Sequence, residues 1–251
     1  MSRLHRWDVA AVVLVAILIV GLGFAMRPQD TPARAADPST VHVDRPQSAG
    51  QASVSALFIG DSYTLGSGSA EMSYPCMAAV QTGWLCHLSA TPGTGFVSGG
   101  TANRFVLNQY FGPSKSFIER IPHLAAQFAP DVVVFDGGRN DQLAPVEEVY
   151  LAMVATLQEA AETWPAATII VIRPRFLERP DDDLGYDDAF FDRLAEQVPR
   201  AVVIDPIGTL SDTDTSTLLK SDGIHPNRRG DQAITSALVQ SLSAHRLANP
   251  A

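Results

Sequence analysis

Three short stretches carry the residue types that covalent chemistry needs. The first is Val54-Ser55-Ala56-Leu57-Phe58-Ile59, an apolar run that ends abruptly in Gly60-Asp61-Ser62-Tyr63. It reads as a buried strand whose carboxyl end turns at a glycine and presents Ser62. In an open parallel α/β sheet that rim is where ligands bind. A serine there becomes a nucleophile when the chain also supplies a base, an orienting carboxylate and donors for an oxyanion. The second stretch, Ser221-Asp222-Gly223-Ile224-His225-Pro226-Asn227, supplies the first two. His225 can take the serine proton, and Asp222, three residues earlier on the same loop, can fix the imidazole tautomer and stabilise its charged form. The third, Gly137-Gly138-Arg139-Asn140-Asp141, ends another apolar run. The Asn140 amide can donate to a developing oxyanion without changing charge. A further glycine-bearing stretch, Ala90-Thr91-Pro92-Gly93-Thr94-Gly95-Phe96, offers a bare N–H from Gly93 or, alternatively, Gly95. Taken singly, each has a plainer reading as a turn or a helix cap.

The elements that must position these residues alternate. Apolar runs at 54–59, 85–88, 130–136, 167–172 and 200–204 read as five strands. Between and after them, helical spacing appears at 74–82, at 117–128 with a kink or interruption at Pro122, at 146–164 and from 228 to about 245. The pattern is that of an α/β fold. Residues 173–192 contain Asp181, Asp182, Asp183, Asp187 and Asp188 and read as a solvated acidic loop. Tyr186, Phe190 and Phe191 there either line a pocket or pack on the domain. The glycine-rich Thr64–Ser69 stretch lacks the Gly-Lys-Ser/Thr and the dinucleotide spacing of a phosphate cradle.

The 251 residues suffice for one α/β domain with appendages. A net charge of −9 argues against a nucleic-acid partner, which would require a basic face. Val9–Met26 is uncharged and, as a helix, spans roughly 27 Å, close to a bilayer core of about 30 Å. Arg3, His5 and Arg6 precede it, favouring a cytoplasmic amino terminus. Two readings remain, a retained signal anchor and a cleaved signal peptide, and the anchor is preferred. Residues 27–52, rich in Pro, Ala, Ser and Asp, read as a flexible tether. The expected organisation is 1–26 anchor or signal peptide, 27–52 tether and 53–248 folded domain. The domain is then extracytoplasmic, held at the cell membrane by one helix, or secreted if that helix is removed. In an exported domain the two cysteines, Cys76 and Cys86, are expected to pair.

The order and placement of Gly60-Asp61-Ser62, Gly93, Gly138-Arg139-Asn140-Asp141 and Asp222-Gly223-Ile224-His225-Pro226 resemble the SGNH (GDSL-type) hydrolase superfamily over about Val54 to His245. The resemblance implies a three-layer α/β/α sandwich with a five-stranded parallel sheet, here preceded by one transmembrane helix. It implies ester hydrolysis through an acyl-enzyme, without metal or organic cofactor. On these positions Ser62 is the nucleophile, Asp222 and His225 complete the triad, and Ser62, Gly93 and Asn140 donate to the oxyanion. The second block departs from the usual Asn-x-Gly-x-x-Gly approach, so Gly93 and Gly95 both stand. The partner is an ester substrate: a small molecule, glycan or lipid. An acyltransferase with the same triad and an inactive surface binding domain are the alternatives.

Overall fold

The computed structural model describes residues 40–43, 53–100 and 115–248. The five apolar runs form parallel strands: β2 (Ser55–Gly60), β3 (Leu85–Ala90), β4 (Val132–Asp136), β5 (Thr168–Ile172) and β6 (Ala201–Ile204). A sixth strand, β1 (Thr40–Val43), pairs antiparallel with β3 at the sheet edge, giving the order β1-β3-β2-β4-β5-β6. The tether expected over 27–52 therefore contains a strand. Thr40-Val41-His42-Val43 is β-branched at three of four positions and suits a pleated surface.

The central strands are buried on both faces, which explains why they read as unbroken apolar runs. Successive residues point to opposite sides. Ala56, Phe58, Val132, Val134, Ile170 and Ile172 meet α2 (Tyr74–Thr82) and α6 (Arg228–Ala244) in one core. Leu57, Ile59, Val133, Phe135, Ile169 and Val171 meet α3 (Phe117–Ala125), α4 (Val146–Thr163) and α5 (Asp188–Gln197) in the other. The three layers are those expected.

Two local expectations change. Of the kink and the interruption expected at Pro122, the interruption does not occur: α3 continues through Pro122 to Ala125. The stretch read as an acidic loop to Asp192 contains the start of α5, whose N-cap is Asp187, accepting from the Phe190 N–H at 2.9 Å. Asp182 and Asp183 close the turn before it by accepting from the N–H groups of Leu184 and Gly185 at 2.9 Å. Short polar side chains favour such turns and caps. Tyr186, Phe190 and Phe191 are buried and belong to the core.

Cys76 and Cys86 form a disulfide between α2 and β3. Both are buried. Closing a loop of 10 residues should contribute about 3 kcal/mol. Reduction under native conditions, or the double change to alanine, is expected to lower the melting temperature by roughly 6–12 °C in a thermal scan.

Among the described residues no helix is long and apolar enough to cross a membrane. The apolar segment Val9–Met26 lies outside them.

Candidate active site

The rim formed by the carboxyl ends of β2, β3 and β4 holds the residues singled out from sequence. Ser62 opens a one-turn helix, α1 (Ser62–Leu65) in chain position though counted apart from the layers, directly after β2. Its turn explains the Gly-Asp-Ser spelling. Asp61 is the N-cap, accepting from the Tyr63 N–H at 2.8 Å. Thr64 Oγ1 folds back to accept from the Asp61 N–H at 3.2 Å, completing a capping box. A Cβ on residue 60 would lie 1.8 Å from that Thr64 oxygen, so only glycine fits there.

His225 Nε2 lies 3.0 Å from Ser62 Oγ, and His225 Nδ1 lies 2.8 Å from Asp222 Oδ2. The other Asp222 oxygen accepts from the N–H groups of Ile224 and His225, each at 2.9 Å. Burial raises the Asp222 pKa, but those two N–H groups and the imidazole outweigh it and hold the carboxyl at about 2. Asp222 is therefore an acceptor only, so the hydrogen between it and His225 belongs to the imidazole Nδ1, and Nε2 is the ring nitrogen that faces Ser62.

Tyr63, which sequence reasoning passed over, ties this loop down. Its buried hydroxyl donates to Ile224 O at 2.5 Å and accepts from the Leu177 N–H at 3.2 Å. No periodic or compositional signal marks an aromatic residue for that role.

The Asn140 amide donates to Thr94 O at 2.9 Å. Its contact with Asp61 Oδ2 at 3.5 Å is long, leaving one amide hydrogen weakly engaged at the cavity. No hydrogen bond among the described residues engages the N–H of Ser62 or of Gly93, and both residues line the cavity. Gly95 is different. Its N–H donates to Ser98 O at 3.1 Å, so of the two glycines Gly93 is the one whose N–H is unengaged among the described residues. Gly95 instead makes room for Asp141, whose carboxylate would lie 2.3 Å from a Cβ there. That buried carboxylate accepts from the N–H groups of Phe96 and Ser98 at 2.8 Å and of Val97 at 3.3 Å. Ser98 Oγ donates to Asn140 O at 2.8 Å. The loop after β3 and the turn after β4 are thus held together, and Gly93 and Asn140 are held with them.

Beneath the rim lies a buried charge cluster, also missed. Arg139 meets Asp61 Oδ2 at 3.4 Å and Asp136 Oδ1 at 2.9 Å, and stacks 4.3 Å from the centre of the Tyr63 ring. Thr64 and Tyr74 donate to the other Asp136 oxygen. Burial pushes the Asp61 carboxyl up to about 6, with Arg139 opposing and Asp136 reinforcing the rise.

These shifts give a pH prediction with two opposite signs. Asp61 binds its proton more tightly folded than unfolded. It favours the fold below its ordinary pKa of 3.8 and withdraws that contribution as pH rises through about 6. Asp222 does the reverse, stabilising above 3.8 and losing that contribution as pH falls through about 2. Melting temperatures from pH 3 to 7 are expected to fall less steeply between about pH 4 and 6 in Asp61→Asn than in wild type. Parallel curves across that window would remove Asp61 as the cause.

Ser62, Gly93, Asn140 and His225 open on one cavity of about 460 Å³, whose wall also includes Leu65, Gly66, Pro92, Phe176, Lys220 and Ile224. Among the described residues no group of acidic, histidine and cysteine side chains is placed to hold a metal ion.

Several solved structures share this fold. EstA, a psychrotrophic esterase from Pseudoalteromonas sp., is 17% identical over 76% of this chain and 98% of the other, with a TM-score of 0.55. Est24, a carbohydrate acetylesterase from Sinorhizobium meliloti, is 15% identical over 76% and 99%, with a TM-score of 0.56. A family two carbohydrate esterase from Clostridium thermocellum, solved with cellohexaose, is 18% identical over 77% and 64%, with a TM-score of 0.55. No curated protein sequence matches the chain. Residues 58–233, well over half of the chain, match the GDSL-like lipase/acylhydrolase family. That span runs from the strand before Ser62 into α6 beyond His225, and the chain belongs to this family as a carboxylic ester hydrolase.

Proposed function

We propose that the chain is an extracytoplasmic serine esterase acting on short acyl esters through a Ser62–His225–Asp222 triad. The observation that carries this reading is the unbroken relay from Asp222 through His225 to Ser62, at 2.8 and 3.0 Å, opening on a cavity shared with Asn140 and Gly93. His225 Nε2 takes the Ser62 proton as Oγ bonds to the ester carbonyl carbon. The carbonyl electron pair moves onto oxygen, which is met by the N–H groups of Ser62 and Gly93 and by the Asn140 amide. Collapse of that adduct expels the alcohol, protonated by His225, and leaves acyl-Ser62. Water then attacks the acyl group, passing a proton to His225, and Ser62 leaves with it as the free acid forms.

Export is supported by the Cys76–Cys86 disulfide, since such bonds persist in oxidising compartments. The uncharged Val9–Met26 segment supports attachment to the membrane. Cell-envelope glycans or lipids are the substrates that such a location offers, and carbohydrate esterases among proteins of the same fold are in keeping with a glycan ester.

Trapping tests the reading. A fluorophosphonate probe should form one stable adduct, and peptide mapping should put it on Ser62. A label elsewhere, or none, would refute the assignment.

A further inference from the structure

We propose that Lys220 forms a subsite for a small anionic group on the ester, so that this enzyme prefers esters carrying a carboxylate close to the scissile bond. The proposal rests on the esterase reading above and adds a substrate class to it.

Four residues that can carry charge line the cavity: Asp61, Arg139, His225 and Lys220. Three are committed. Asp61 and Arg139 are almost fully buried and paired with each other, and Arg139 also pairs with Asp136. His225 is held between Asp222 and Ser62. Lys220 is half-buried, and its ammonium makes no ion pair or hydrogen bond among the described residues. A partly desolvated ammonium with no carboxylate in direct contact keeps its hydrogen-bond donors free, and an anion bound beside it would engage them.

Its place is fixed relative to the reacting atoms. The Lys220 N–H donates to His225 O at 2.8 Å, and Leu219 pairs with Pro226 in the adjoining bridge. Lys220 and His225 therefore sit opposite each other on one short hairpin, and both face the cavity that holds Ser62. The Lys220 charge also acts on the Asp231 carboxyl, where it opposes the upward push of burial. Asp231 lies behind Gly66, another wall residue, so the nearest acidic group named here is separated from the cavity by the chain itself. Of the two cations in the cavity wall, Arg139 is paired with Asp61 and Asp136, which leaves Lys220 as the one not held in an ion pair among the described residues.

The test compares three esters: 4-nitrophenyl acetate, which is neutral; mono-4-nitrophenyl succinate, charged on the acyl side; and 4-acetoxybenzoate, charged on the alcohol side. Each kcat/KM is divided by the ester's own hydroxide-catalysed rate. In wild type one charged ester should exceed the neutral one by about two- to fivefold, the range for a partly exposed charge pair. Which of the two does so tells whether the subsite serves the acid or the alcohol. Raising the salt should shrink the preference. Lys220→Met should bring the ratio close to one, Lys220→Glu should invert it, and Lys220→Arg should keep it. Hydrolysis with the same ratio in wild type and Lys220→Met overturns the subsite while leaving the esterase reading intact. Binding gives a readout independent of turnover. The chain has lysines only at 115 and 220. In Ser62→Ala protein, succinate should slow acylation of Lys220 by an amine-directed reagent and leave Lys115 unaffected. Equal effects on the two lysines overturn the subsite. Protection of Lys220 with no hydrolysis of any ester overturns the esterase reading alone.

Discussion

Ser62→Ala is expected to lower turnover of a short-chain ester by about six orders of magnitude, toward the residual rate left by binding and the oxyanion donors. The size follows from what the change removes. Ser62 Oγ is the atom aligned on His225 Nε2, and the cavity wall holds no cysteine and no second serine or threonine to replace it. The hydroxyl makes no other hydrogen bond among the described residues, and alanine is well tolerated in a helix, so the fold should be retained. A melting temperature within a few degrees of wild type, together with loss of fluorophosphonate labelling, would isolate the chemical step. A variant that keeps a tenth or more of wild-type turnover would mean that the nucleophile lies elsewhere.

Asn140→Ala is expected to cost two to three orders of magnitude in kcat, the loss of about 3–4 kcal/mol of transition-state stabilisation that one oxyanion donor typically provides. KM should change little, because the donor engages an oxygen whose negative charge develops only after attack. The variant also leaves Thr94 O without the amide that it accepts from at 2.9 Å. A modest loss of stability, about 1–3 kcal/mol, is expected beside the kinetic effect. Steady-state kinetics well below the melting temperature separate the two. Near wild-type kcat would remove Asn140 from the oxyanion hole.

The positions of Ser62, Asn140, Asp222 and His225 were legible because their signals are local. A strand buried on both faces must be a run of apolar residues, and the residue that follows it must turn. Glycine, asparagine and aspartate mark those turns, so the rim could be located strand by strand. The Gly93 and Gly95 alternatives could not be separated that way. Both are glycines in one turn, and the choice depends on where each N–H points. Ser98 O takes up the Gly95 N–H, in a turn that is held from outside by the Asp141 carboxylate, 43 to 45 residues from the N–H groups of Ser98 and Phe96 that it accepts from.

The same limit hid α5 and β1. The start of α5 was masked by aspartates that serve as turn and cap residues, which read as a solvated run when only charge is counted. β1 is four residues long and becomes a strand through pairing with β3.

What the sequence determined by itself, then, was the alternation of strands and helices, the rim at which each strand stops and the candidate catalytic side chains placed there. Tertiary structure decided which N–H groups remain available, which carboxylate clamps two loops and which pairs with a buried arginine. It also decided how Tyr63 reaches Ile224 across 161 positions of chain. The physical reason is range: burial and turn preferences act on neighbouring residues, while hydrogen bonds and charge pairs take partners that only the packed layers bring together.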